Sequence, residues 1–122
     1  MAYDAPFRVT YSFSSNANAA LAGLIPVPKG VNRVKVRHIS QAAPTFVSAE
    51  TATLTVNIGD GTTATKFATT GAQILDVANP VGSFDTGQNG QEIGDIDRLV
   101  VARAANGSVA KPVALTVVVD WY

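Results

Sequence analysis

Cysteine is absent from the 122 residues, and histidine occurs once, as His38. The first absence excludes disulfides and thiolate metal sites, leaving stability to packing or to partners and the redox compartment open. With no cysteine nucleophile, a lone histidine and no G-x-S-x-G elbow, the usual nucleophilic constellations are missing as well. Charge is scarce and balanced: nine Lys plus Arg against nine Asp plus Glu, a formal net charge of zero. That argues against a general nucleic-acid binder, whose footprint is a basic excess, and it favours association. No run reaches the ~18 apolar residues of a membrane-spanning helix. The N-terminus MAYDAPFRVT lacks the charged start and apolar stretch of a secretory signal, so the chain is expected to be made and used as it stands, without a membrane. Helical periodicity is nearly absent too, and NANAALAGL, Asn16 to Leu24, is the one stretch able to form a short helical turn before Pro26.

What is present is alternation with a period of two, the mark of strands with one buried face. In FRVTYSFS, Phe7, Val9, Tyr11 and Phe13 share one face, and Arg8, Thr10, Ser12 and Ser14 the other. TATLTVNI sets Ala52, Leu54, Val56 and Ile58 against threonines suited to a solvated pleated surface. VNRVKVRHI, IDRLVVARA and VALTVVVDWY follow the same rule, the last with Leu115, Val117, Val119 and Trp121 on one side. Shorter candidates are AGLIPV, TKFAT, QILDV and PVGSF, set apart by Pro, Gly and Asn, for eight or nine strands in all. The pattern predicts an all-β, antiparallel, jelly-roll-like β-sandwich spanning residues 7–122, preceded by an arm at residues 1–6. An immunoglobulin-like sandwich is disfavoured because its Cys and Trp landmarks are missing.

Four polar features invite a chemical reading. Gly59-Asp60-Gly61 follows a strand, but the P-loop pattern fails because Ala64 and Thr65 stand where Gly and Lys would be needed. A dinucleotide fingerprint fails for want of a third glycine. A chain turn is expected there, with Gly61 at positive φ. DTGQNGQEIGDID, Asp85 to Asp97, holds four of the nine acidic residues in thirteen positions. Its match to a calcium loop breaks at Gly87 and Ile96. Glu92, Asp95 and Asp97 could gather around a weak ion, and a solvated loop reaching for a partner is the plainer account. His38 is in phase with Val34 and Val36, which predicts a place at the buried end of a strand rather than a role as catalytic base. Arg33, Lys35 and Arg37 alternate onto the outer face of the same strand, a basic stripe about 13 Å long from the rise per residue. It is either a solvated, edge-protecting face or a docking surface for an acidic partner, such as the Asp85 to Asp97 loop of a second copy.

A small, cysteine-free, Thr/Ala/Val-rich sandwich with neutral balance, the Pro-flanked start MAYDAPF and the closing strand LTVVVDWY resembles tailed-bacteriophage virion proteins, in character the small jelly-roll cement or decoration proteins of the head. The phrase Ile58-Gly59-Asp60-Gly61-Thr62-Thr63 also resembles turns of phage fibre proteins. The resemblance implies a non-enzymatic structural protein on the capsid exterior, made in the host cytoplasm and without a cofactor. Its partners would be the major capsid protein and copies of itself, as a dimer or trimer. Candidate contact residues are then Arg33, Lys35, Arg37, Tyr3, Asp85, Glu92, Asp95 and Asp97. The alternative is a carbohydrate-binding or tail-fibre adhesin module, which would use exposed aromatics, with Tyr3, Phe84 and Tyr122 as candidates.

Overall fold

The computed structural model describes residues 7–85, 90–107 and 110–122. Nine strands run in chain order: β1 (Phe7–Asn16), β2 (Leu21–Pro26), β3 (Arg33–Ala42), β4 (Thr51–Gly59), β5 (Ala68–Asp76), β6 (Val81–Asp85), β7 (Gln91–Glu92), β8 (Arg98–Gly107) and β9 (Pro112–Trp121). One sheet has the order β1-β9-β3-β6, with β7 also paired to β3, and the other has the order β2-β8-β4-β5. All pairings are antiparallel. The chain changes sheet at each step from β1 to β4, pairs β4 with β5 directly, and changes sheet again at β6, β8 and β9. That is the jelly roll. The arm expected at residues 1–6, and Tyr3 with it, lies outside the described residues.

Alternation decides the core. Leu115, Val117, Val119 and Trp121 of β9 are each fully buried, as are Ala52, Leu54, Val56 and Ile58 of β4. Burying each such aliphatic side chain contributes about 1.5–3 kcal/mol. The β9 row and Val56 and Ile58 of β4 meet Leu99 and Val101 of β8 and Val34, Val36 and Ile39 of β3 in one cluster. A smaller cluster of Ala17, Phe46, Ala52, Leu54, Leu75 and Val113 fills the other end. Between the sheets lies Arg103, 1% exposed. Its guanidinium donates to the carbonyls of Val113 (3.0 Å) and Ser15 (2.8 Å), tying β8 to β9 and β1, with no carboxylate paired to it among the described residues. Burial alone pulls its pKa below the ordinary arginine value.

Two expectations are corrected. The Asn16–Leu24 stretch forms a turn after β1 and then enters β2, so no helical turn occurs there. TKFAT and QILDV are not two strands: the chain after β4 loops through residues 60–67, and the single strand β5 starts at Ala68. Gly71 in β5 has φ 65°, and the β4–β5 register shifts beside it, a bulge that breaks the alternation and imitates a boundary. The two-residue β7 was not anticipated, being too short for any periodicity to register.

The Gly-Asp-Gly segment is a chain turn with Gly61 at φ 92°. Asp60 Oδ1 accepts from the backbone N–H groups of Thr62 (2.8 Å) and Thr63 (2.7 Å), and Lys66 stands 3.5 Å from Oδ2. These bonds, the Thr63 N–H first, hold the Asp60 carboxyl below the usual carboxylate range. Gly59 is required by close approach: a Cβ there would lie 2.1 Å from the carbonyl oxygen of Thr63.

Two outcomes are expected. Because the folded pKa of Asp60 is depressed, its contribution is complete above the unfolded value and lost as pH falls through the folded one. Asp60→Asn should therefore melt below wild type at pH 7, and the gap should narrow below about pH 4, as measured by thermal melts across a pH series. Arg103→Ala leaves two buried carbonyls short of donors and should cost about 3 kcal/mol in denaturant unfolding.

Candidate docking surface

The outer face of the β1-β9-β3-β6 sheet carries a row of charges fixed by strand register. Asp120 of β9 stands opposite Arg8 of β1 on one side and Lys35 of β3 on the other. The Asp120 side chain points away from the core yet is only 1% exposed, because basic side chains cover it. Arg8 donates from Nε (2.8 Å) and Nη2 (3.2 Å) to its two oxygens, the bidentate fork that suits arginine to carboxylate. Arg37 Nη1 lies 3.5 Å from Oδ2. The hydrogen bond and charge of Asp120 push the Arg8 pKa above its ordinary value.

A bulge in β3 enlarges this row. The register against β9 passes from Val36↔Val119 to His38↔Val118, leaving Arg37 as the extra residue. His38 is thereby carried to the outer face, and Ile39 and Gln41 take the inward positions. This overturns the expectation of a core histidine: the phase with Val34 and Val36 ends at the bulge. The His38 side chain is 32% exposed, its Nδ1 bonded to Asp85 and its Nε2 3.1 Å from Ser83 Oγ. Arg8, Lys35, Arg37, His38, Asp85 and Val118 line a shallow depression of about 500 Å³. Two cations, Arg8 and Arg37, share the Asp120 carboxylate, and Lys35, opposite it in register, has no ion-pair partner among the described residues.

The stripe Arg33, Lys35 and Arg37 does lie on one outer face, and the acidic segment flanks it within the same chain. Arg33 stands opposite Glu92 and donates to the carbonyl of Gly90 (3.2 Å). Asn32, Arg33, Glu92, Gly94 and Asp95 line a second, smaller hollow of about 280 Å³. Asp97 stands apart, paired with Arg98 at 2.6 Å. Among the described residues, no three His, Asp or Glu side chains converge as a metal ion would require. Of the aromatic candidates, Phe84 stands opposite buried Ile39 and is half-buried. Tyr122 is half-buried near Gly90, its backbone paired with Arg33. They form no common exposed platform.

Arg8, His38 and Asp120 are the members that sequence reasoning missed. Alternation places Arg8 and Asp120 outward, and an Asp inside VVVDWY is a usable signal. What brings them together is the β1-β9-β3 strand order, which no local pattern encodes.

No family model and no curated protein matches the chain. Among solved structures, a chain of the acidic stable capsid structure of Helicobacter pylori bacteriophage KHP30 is similar over 99% of this chain and 90% of its own, with 16% identity and a TM-score of 0.52. Weaker likenesses are to Desmodium yellow mottle tymovirus (9% identity, 99% of this chain and 90% of that one, TM-score 0.41) and to the empty head of turnip yellow mosaic virus (10%, 100% and 84%, TM-score 0.38). At 16% identity the likeness to the bacteriophage KHP30 capsid chain shows the fold alone, a jelly roll shared over 99% of this chain.

Asp120→Asn should lower the melting temperature, because Arg8 and Arg37 would lose their shared carboxylate beside a third cation, Lys35. Added salt should restore part of the loss by screening. A melting temperature unchanged from wild type would show that the cluster contributes nothing to stability.

Proposed function

We propose that the protein is a non-enzymatic structural component of a virus particle, of the cement or decoration kind, seated on the capsid exterior and bridging copies of the major capsid protein. The observation that carries this reading is the fold likeness to the bacteriophage KHP30 capsid chain, which runs through 99% of this chain. The charged outer face supports it as the attachment surface. It presents a basic excess on a rigid sheet, and complementary charge sets orientation and encounter more than raw affinity. The half-buried aromatics give the adhesin alternative no comparable support.

Two measurements test the proposal. Antibodies to the protein should label particle heads in immunogold images of the source material. Label confined to tail tips, or absent from particles, would overturn it. The attachment surface is tested by adding purified protein back to capsid particles that lack it. Arg37 is left intact, since an acidic side chain there would sit against buried Asp120. Lys35 stands opposite Asp120 and is therefore neutralised rather than reversed: the double change Arg33→Glu and Lys35→Gln should preserve the β-sheet circular dichroism and lower occupancy. Wild-type binding should weaken as salt rises, exposed pairs being worth at most ~1 kcal/mol each. Equal occupancy of wild type and variant at low salt would remove this face from the attachment.

A further inference from the structure

The four lateral edges of the sandwich are not alike. β2 is six residues long and contains Gly23 and Pro26. β5 is broken by the bulge at Gly71. The β6 side is divided between a five-residue and a two-residue strand. Short strands, prolines and bulges are the devices by which proteins keep sheet edges from pairing. β1 has none of them. It runs for ten residues without proline, glycine or bulge, in unbroken register with β9. Its other side pairs with no described strand, and its one charged residue, Arg8, is held by Asp120.

The inward side chains of β1 are also incompletely covered. Val9, Tyr11 and Phe13 are only partly buried against the core, and Phe7 is 47% exposed. Among the described edge strands, β1 has the longest core-facing row with apolar surface still to bury, β6 offering only Phe84.

We infer that β1 pairs antiparallel with β1 of a second copy, joining the two β1-β9-β3-β6 sheets into one continuous sheet about a two-fold axis near Thr10. The sequence of β1 is self-complementary in that register. Phe7 comes opposite Phe13 of the second copy and Val9 opposite its Tyr11 on the inner face. On the outer face Arg8 comes opposite Ser12, and Thr10 meets Thr10. No like charges are opposed, and aromatic and aromatic–β-branched pairs are among the favourable cross-strand neighbours. A two-fold pairing uses both edges and closes, so the assembly stops at a dimer instead of growing into a fibre. A formal net charge of zero adds no long-range repulsion between copies.

The test uses Thr10, which is exposed and stands at the axis. Wild type should sediment as a dimer at about 100 µM, a concentration at which even a small, weak interface is populated. Thr10→Lys and Thr10→Asp should each sediment as folded monomers, because each opposes like charges across the axis. An equimolar mixture of the two should recover the dimer, since the charges then attract. A monomeric wild type would overturn the inference, and so would folded single variants that remain dimeric or fail to recombine. Because the measurement needs no particle, its outcome is separate from that of the capsid reading.

Discussion

The sandwich is organised around β9, which is paired along both edges, to β1 on one side and β3 on the other. Its inner row of Leu115, Val117, Val119 and Trp121 is excluded from solvent altogether. Parity does the rest. Because alternate residues must point to opposite faces, burying that row fixes Thr116, Val118 and Asp120 on the outside. A slip of one residue would drive Asp120 into the apolar core and expose tryptophan. The pairing of β1 with β9 joins residues 96 to 114 positions apart in the chain, so this ladder closes only when the first and last strands meet. Much loop-closure entropy precedes the reward, the condition that makes sandwiches slow folders.

The charged surface inherits its geometry from the same strand. Asp120 sits between Arg8 and Lys35 because its neighbours on both sides are set by register, and the β3 bulge adds Arg37 and His38 to the group. A buried carboxylate under a cover of cations is costly to desolvate and is held by the hydrogen bonds those cations donate. The result is a basic patch in which Arg8 and Arg37 are gathered on one carboxylate. Arg103 makes the complementary arrangement inside, where a buried cation is met by backbone carbonyls instead of an acid.

The fold was legible in the sequence where alternation was long and unbroken, as in FRVTYSFS, TATLTVNI and VALTVVVDWY. It was misread where a bulge interrupted the period. Gly71 divided β5 into two apparent strands, and the extra residue Arg37 reversed the facing of His38. Both errors have one cause: a period-two argument assumes an uninterrupted ladder, and a bulge becomes visible only against its partner strand. The stripe of Arg33, Lys35 and Arg37 was readable because all three lie before the phase changes. Their acidic neighbours in the 85–97 segment were readable as residues. Their position beside the stripe in the same chain was not, since it follows from β6 and β7 both pairing with β3.

Exposed ion pairs contribute little singly, so a docking face of a few cations gives one copy only weak attachment. Pairing through β1 changes the count. The proposed pairing would bring the Arg8, Asp120 and Lys35 rows of two copies onto one continuous face, related by the two-fold axis. Two such patches engaging one lattice convert the second contact into an intramolecular event, and avidity then exceeds the affinity of either patch without any new contact. A protein of zero formal charge with a locally basic face and one unblunted edge is suited to the proposed arrangement, in which each attachment is weak enough to be placed correctly and the pair is held by being two.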